Sequence, residues 1–322
     1  MTGAETRLSH WLTSSNLAPV HIAPLWGDVS RRRYFHVTLE GGATAVAVYY
    51  PPDMRPVCGR FLATTALLET GRVRVPEILL SACDQGLMLV EDLGSTSLYD
   101  IAEREWGELE PFYADALACI HNIQQLPAEV IADLNPPLDG TLLRQEIEIS
   151  WDSLLEHDAI PASRVLRQQL HATLAELLDH LQECPLVPCH RDFMARNLML
   201  SGPEHLLAVI DHQDLRLGPP FYDLASLLND SLFPPPTIEK KLRENSIDSE
   251  NALLLYRRCS VQRTVKAAGT FVRFAAQGDT RHVSLVNPTL QRTAYHLRYL
   301  PEGGSFADHL AGHWKATAED SL

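Results

Sequence analysis

The hydrophobic pattern of this chain changes character near Glu91-Asp92-Leu93, and that change restricts the folds open to it. Before it, residues 29–39 and 43–50 are β-rich, separated by the turn Glu40-Gly41-Gly42-Ala43. Pro51-Pro52 closes the second of these, because proline cannot continue a ladder. Residues 59–70 carry Phe61, Ala66, Leu67 and Leu68 at helical spacing, with Gly71 where a C-terminal glycine belongs. Two short apolar strands, 77–82 and 87–90, follow around Cys83-Asp84-Gln85-Gly86. After the change, residues 112–124, 142–155, 165–181, 222–230 and 251–276 have helical periodicity, and Pro234-Pro235-Pro236 is a loop or extended segment that no helix runs through. A compact, polar, β-rich island at 188–211 lies among these helices. The expected class is α+β: a small β-rich lobe carrying one helix over 1–92, a joint near 91–93, and a larger, mainly helical lobe over 93–322.

Charge and cysteine usage limit the function. The 322 residues include 27 Lys and Arg against 41 Asp and Glu, a formal charge of −14. Broad nucleic-acid binding wants a basic footprint and is set aside, although a local basic pocket for a phosphorylated ligand remains open. There is no run of 18 apolar residues to span a membrane, and residues 1–10 lack the apolar core of a signal peptide. The six cysteines are scattered with no CxxC pair, and Cys184 and Cys189 lack the matching pair of a zinc site. They are expected to be reduced, mostly buried thiols in a cytoplasmic protein with no evident obligate protein partner.

The chemistry concentrates in the island. His190-Arg191-Asp192-Phe193-Met194-Ala195-Arg196-Asn197 fits H-R-D-x-x-x-x-N. Four fixed residues recur by chance in roughly one chain in five hundred of this length, so the match is suggestive on its own. Nineteen residues after Asp192, the apolar run Leu206-Leu207-Ala208-Val209-Ile210 ends in Asp211. Ser201-Gly202-Pro203-Glu204-His205 reads as the turn of a hairpin between the two. Phosphoryl transfer needs a carboxylate to orient and deprotonate the acceptor hydroxyl, which suits Asp192. It also needs oxygen ligands for Mg²⁺ on the nucleotide phosphates, which suits the Asn197 amide and the Asp211 carboxylate.

On these residues the chain resembles the aminoglycoside phosphotransferase and choline kinase group of small-molecule kinases, relatives of the protein kinases. More narrowly, it resembles the anomeric N-acetylmuramate/N-acetylglucosamine kinases. Gly27-Asp28-Val29-Ser30-Arg31-Arg32-Arg33-Tyr34-Phe35 is close to that family's G-D-A-S-x-R-R-Y-F. Ile210-Asp211-His212-Gln213-Asp214, Gly218-Pro219-Pro220, Tyr222-Asp223-Leu224-Ala225-Ser226-Leu227-Leu228-Asn229-Asp230, Gln262-Arg263-Thr264-Val265-Lys266 and Gly269-Thr270-Phe271 are similar to later motifs. The resemblance implies a bilobal, protein-kinase-like fold that uses ATP and Mg²⁺. Two departures stand out: no G-x-G-x-x-G covers the phosphates, and residues 45–50 offer no lysine where V-A-I-K places one. Ser30, Arg32 and Arg33 are the candidate nucleotide contacts. Because Arg32 and Arg33 alternate faces in a strand, only one of the two arginines can point at the nucleotide. Glu69 stands roughly at the place of the kinase ion-pair partner. Glu91 and Leu93 resemble the hinge, whose backbone groups pair with adenine.

For the acceptor, the resemblance singles out Glu146, and Trp151 offers an apolar face to a sugar ring. Gln262, Lys266, Gly269 and Arg273 share one helix face, and Arg263 and Lys266 fit a carboxylate on the acceptor. Asp223 is expected to brace the catalytic loop. The implied activity is phosphorylation of the anomeric (C1) hydroxyl of N-acetylglucosamine or N-acetylmuramate to the α-1-phosphate, in cell-wall sugar recycling. Two alternatives stand beside it: a kinase for a cationic aminoglycoside or choline, using acids such as Glu146, Glu148, Asp152 and Glu156, and a non-catalytic nucleotide-binding regulator.

Overall fold

The computed structural model describes residues 3–25, 31–156, 164–230, 232–303 and 307. The chain divides into two compact units, Met1–Ser97 with Leu198–Asp214, and Leu98–Asn197 with Leu215–Leu322. The division therefore falls at 97/98 rather than at the expected 92/93, and it cuts the island in two.

The first unit is a sheet with a helix on each face. In chain order it contains α1 (Gly3–Ser14), β1 (Pro19–Leu25), β2 (Arg33–Leu39), β3 (Thr44–Tyr49), α2 (Arg55–Thr70), β4 (Ile78–Ala82) and β5 (Leu87–Glu91). The strands are ordered β1-β2-β3-β5-β4, each antiparallel to its neighbours. Successive side chains point to opposite faces of a strand. Phe35, Val37, Ala45, Ala47, Leu87 and Leu89 accordingly pack against Leu8, Trp11 and Leu12 of α1. Val48, Met88 and Val90 turn the other way, onto Cys58 and Phe61 of α2. The β2–β3 turn has Gly41 and Gly42 both at φ 87°, a conformation that glycine adopts without a steric cost.

Several details differ from the sequence reading. A second helix, α1, and a fifth strand, β1, were not anticipated. Helix α1 buries only Ala4, Leu8, Trp11 and Leu12 of its twelve residues, so its apolar stripe is thin. Strand β1 carries Pro19 and Pro24, which an edge strand tolerates. Strand β2 begins at Arg33; residues 29 and 30, including Ser30, lie outside the described residues. After α2, Gly71 has φ −78° and Arg72, not the glycine, takes the left-handed conformation at φ 58°. Cys58 and Cys83 are joined in a disulfide, so the expectation of reduced thiols fails for this pair. Helix α2 sets Cys58 beside the turn after β4, a proximity that residues 25 apart in sequence do not reveal.

The second unit is mainly helical. It contains α3 (Trp106–Gln124), α4 (Ala128–Leu134), α5 (Gly140–Glu156), α6 (Arg164–Gln182) and the short strand β6 (Val187–Cys189). The chain then supplies β7 (Leu198–Ser201) and β8 (Leu206–Val209) to the first unit. It returns as β9 (Arg216–Gly218), α7 (Tyr222–Asn229), α8 (Pro236–Arg243), α9 (Glu250–Ala276) and α10 (Val283–Leu297). Strands β7 and β8 form the expected hairpin. The hairpin joins the first unit through backbone bonds from Leu200 N–H to Thr96 C=O (2.8 Å) and from Val209 N–H to Arg74 C=O (2.8 Å).

Helix α9 is the axis of the second unit, packed against α5, α6, α7 and α10. Ser249 caps its start by accepting a hydrogen bond from Ala252 N–H (3.2 Å). At Gly269 it meets α5 so closely that any Cβ there would run into the Ser150 backbone. Glycine is required at this crossing, which sets the polar face of α9 directly against that of α5. Among the described residues, no helix is long and apolar enough to cross a membrane.

Candidate active site

One group of candidate residues, in the first unit, is built around Asp211. This residue follows β8 in the left-handed region, at φ 61°, a conformation that costs energy outside glycine but that aspartate tolerates better than most. Its Oδ1 accepts hydrogen bonds from Arg32 Nη2 (2.8 Å) and Gln213 Nε2 (2.9 Å), and Arg32 Nη1 donates to Gln213 Oε1 (3.0 Å). Arg32 also lies 5.6 Å from the Tyr34 ring centroid. Burial works against the guanidinium charge, but Tyr34 and Asp211 hold the Arg32 pKa above its usual value. Burial pushes the nearby Tyr50 phenol up to about 12. The turn is fastened by His212, which stacks on Phe61 at 4.2 Å and shares a 2.8 Å hydrogen bond between its Nδ1 and Thr64 Oγ1 of α2.

The three arginines of the sequence motif separate cleanly. Arg31 is exposed and paired with Asp53 (2.6 Å), Arg33 is exposed, and Arg32 alone turns onto Asp211. Glu69 is exposed, so α2 meets the Asp211 turn through Phe61, Thr64 and Thr65 instead. Glu91 pairs with Arg74 (2.7 Å), and its backbone N–H donates to Glu77 C=O (2.9 Å). Leu93 is buried.

A second group, in the second unit, lies in the loop after β6. Asp223, at the start of α7, accepts hydrogen bonds from the backbone N–H groups of His190 (2.6 Å) and Arg191 (2.9 Å). These bonds hold Arg191 at φ 78°, another left-handed residue that is not glycine. Burial raises the Asp223 pKa. Asn197 Nδ2 donates to the Asp192 backbone C=O (2.8 Å), which fixes the amide and leaves its oxygen on the other side.

The Asp192 carboxylate is set in a charge-balanced cluster. Its Oδ1 accepts from Arg263 Nη1 (2.8 Å), and Lys266 Nζ stands 4.0 Å away. Arg263 Nη2 donates to Asp230 Oδ2 (3.2 Å). Glu146 Oε1 pairs with Arg191 Nη2 (2.7 Å) and Lys266 Nζ (3.0 Å), while its Oε2 accepts from Gln262 Nε2 (3.2 Å). The carboxylates of Asp192, Glu146 and Asp230 are thus matched by Arg191, Arg263 and Lys266. Burial alone would raise the Asp192 pKa, but Lys266, Arg263 and Arg191 outweigh it and hold the group well below the carboxylate range. Glu146 is lowered in the same way, by Lys266 and Arg191 against the cost of burial. Lys266 is lowered, because burial outweighs its two carboxylate neighbours.

The structure therefore brings Asp192, Glu146, Arg263 and Lys266 together, and separately Arg32 with Asp211. Gln213 and Asp230 stood within the similar motifs with no role assigned to them, and the pairing of Gln262 with Glu146 was missed. The only signal for the last was the shared face of Gln262, Lys266 and Gly269. Trp151 is buried in α5.

The oxygen chemistry of each half suits a hard cation. Asp211 Oδ2 accepts no hydrogen bond among the described residues, and the Asn197 amide presents its carbonyl oxygen. Among the described residues, no cluster of three His, Cys, Asp or Glu side chains forms a complete cage. A carboxylate oxygen and an amide carbonyl are both of the donor class that Mg²⁺ takes.

A model of the phosphotransferase enzyme family matches residues 21–253. The chain belongs to this family. Curated relatives of this phosphotransferase include the N-acetylmuramate/N-acetylglucosamine kinases of Pseudomonas aeruginosa and Pseudomonas putida. The first is 30% identical over 70% of this chain and 64% of the relative. The second is 31% identical over 76% of this chain and 74% of the relative. The match thus spans just under two thirds of the Pseudomonas aeruginosa protein's length. Solved structures share the fold at low identity. The GDP complex of wild-type aminoglycoside 2'-phosphotransferase-IIIa has a TM-score of 0.66 at 13% identity, covering 89% of this chain and 98% of that one. A choline kinase from Streptococcus pneumoniae has a TM-score of 0.62 at 16% identity, covering 90% and 99%. The fold is accordingly the protein-kinase-like α+β fold of small-molecule phosphotransferases.

Proposed function

We propose that this phosphotransferase transfers the γ-phosphoryl group of ATP to the anomeric hydroxyl of N-acetylglucosamine or N-acetylmuramate, giving the α-1-phosphate in cytoplasmic recycling of cell-wall sugars. The observation that carries the choice of acceptor is the charge balance around Asp192. An aminoglycoside or choline pocket needs free acids or an aromatic cage for a cation. Here Glu146, within the cluster, is taken by Arg191, Lys266 and Gln262. A neutral or singly anionic acceptor meets no such conflict, and the names of the curated relatives point the same way.

In this reading Asp192 Oδ2 accepts the hydroxyl proton, while Oδ1 stays on Arg263. A carboxylate held at low pKa is a weak base, and an anomeric hydroxyl, more acidic than an ordinary alcohol, is the easier donor for it. Bound Mg·ATP supplies the phosphoryl group and neutralises charge as it moves. Asn197 Oδ1 and Asp211 Oδ2 are the atoms that would hold the metal. Arg32, turned inward beside Asp211, supplies the positive charge that the missing strand lysine would otherwise bring.

The test is ATP turnover with N-acetylglucosamine, N-acetylmuramate, their 1-O-methyl glycosides, kanamycin and choline, with products read by phosphorus NMR. The free sugars are expected to give an acid-labile glycosyl phosphate and the methyl glycosides nothing. Phosphorylation of a methyl glycoside at the rate of the free sugar overturns the anomeric assignment. Preferential turnover of kanamycin or choline overturns the acceptor class.

A further inference from the structure

Asp230 closes the motif that begins at Tyr222, and its Oδ2 accepts a hydrogen bond from Arg263 Nη2. It follows the last residue of α7 and is buried, as is Arg263 on α9. The geometry between them is unusual for an arginine beside a carboxylate. A guanidinium and a carboxylate that meet freely tend to pair in a fork, with two parallel N–H···O bonds. Arg263 instead divides its two Nη groups between two acids, Nη1 to Asp192 at 2.8 Å and Nη2 to Asp230 at 3.2 Å. One oxygen of Asp192 is held and the other is left unclaimed by this arginine.

We propose that Asp230 is a positioning residue for the proposed base: by occupying Arg263 Nη2, it prevents a bidentate Arg263–Asp192 pair that would cover both oxygens of Asp192. The inference rests on the reading of Asp192 as the group that takes the acceptor proton. It assigns Asp230 no contact with substrate. Its effect reaches the reaction through Arg263 and the orientation of one carboxylate. The other cations beside Asp192 are Lys266 and Arg191, both bonded to Glu146 rather than to Asp230.

A purely structural role for Asp230 predicts a stability loss. A positioning role predicts a particular pattern of kinetics. With Asp230→Ala, Arg263 is free to fork onto Asp192, so kcat is expected to fall about ten- to a hundredfold, while KM for Mg·ATP stays within about twofold. Asp230→Asn retains an oxygen that can accept from Nη2 and is expected to recover most of the rate. Arg263→Lys supplies a single nitrogen, which cannot fork, so adding it to Asp230→Ala should raise kcat above that of the single alanine variant.

Folded Asp230→Ala with wild-type kcat overturns the proposal, as does an Asp230→Asn variant as slow as the alanine. If the alanine variant does not fold, the cycle of Asp230→Asn with Arg263→Lys decides. The proposal expects the asparagine effect to vanish in the lysine background, and additive effects overturn it. Asp192→Asn is measured alongside. Near wild-type turnover in that variant sinks the underlying reading of the base, whereas a dead Asp192→Asn beside a fully active Asp230→Ala sinks only the role of Asp230.

Discussion

Asp192 and Asp211 each follow a short strand, and the backbone at each site is held in the left-handed region, at Arg191 (φ 78°) and at Asp211 itself (φ 61°). Their surroundings are built differently. Asp192 is fixed by helices: Arg263 and Lys266 come from α9, Glu146 from α5, and the loop is tied from below by Asp223 of α7. Asp211 is fixed by the arginine just before β2 and by its own near neighbour, Arg32 and Gln213, and keeps 37% of its side-chain surface exposed. The first environment balances charge around a half-buried carboxylate whose cationic partners, Arg263 and Lys266, are themselves mostly covered. The second leaves one oxygen accessible, as a metal ligand requires. Local strain at a carboxylate therefore serves two ends, and the difference lies in how many cations share the charge.

The sharpest way to break this comparison is to remove each acid in turn. Asp192→Asn keeps the size of the side chain and removes the proposed proton acceptor, and the expected loss in kcat is about two to four decades, with nucleotide affinity nearly unchanged. Retention of near wild-type turnover would remove the catalytic half of the contrast. Asp211→Ala should act differently. The Mg²⁺ concentration for half-maximal rate is expected to rise on the order of tenfold or more, as the ion loses a protein ligand. Titrating nucleotide with and without Mg²⁺ separates this from a folding defect, and an unchanged metal dependence would make Asp211 a structural strand-end residue.

The pH dependence distinguishes the two halves further. Asp192 and Glu146 have depressed values, so the stability their ion pairs contribute is present above the ordinary carboxylate range. It is lost only as pH falls through those depressed values. Lys266 is also depressed, so it sheds its proton below the usual lysine range, and the Glu146–Lys266 pair then loses its charge. An alkaline fall in kcat/KM of about tenfold is expected to start below the pH at which free lysine titrates. Lys266→Arg, which stays charged, should move that limb upward. A limb that stays in place in this variant belongs to another group.

The two halves were not equally legible in the sequence. The spacing of His190, Arg191, Asp192 and Asn197 points to the loop, and an apolar run ending in Asp211 points to the hairpin, because both are local. Strand alternation also makes Arg32 and Arg33 exclusive of each other. What stayed hidden depends on distant packing. The pairing of Gln262 and Lys266 with Glu146 needs the close crossing that Gly269 allows at Ser150. The Cys58–Cys83 bond and the role of α2 in holding His212 need the helix laid on its sheet. Helix α1 and edge strand β1 were invisible for a plainer reason, a thin apolar stripe in one and two prolines in the other.

The smallest expected effect tests the arginine assignment, where the Asp211 half rests on a single residue. Arg32→Met removes the cation bonded to Asp211 and should raise KM for Mg·ATP about tenfold, roughly the cost of one charge-assisted contact. Arg33→Ala, at the next residue and the first of β2, alters an exposed side chain. Exposed substitutions of this kind usually stay within about 0.5 kcal/mol, so stability and KM should move by no more than about a factor of two. The pair is informative because the two residues are chemically identical and adjacent, so only the direction in which each points separates their effects. Equal rises in KM for the two variants would show that general positive charge near the first strands, rather than Arg32 beside Asp211, serves the nucleotide. A rise confined to Arg33→Ala would place the nucleotide beside Arg33 instead and dissolve the contrast between the two carboxylates.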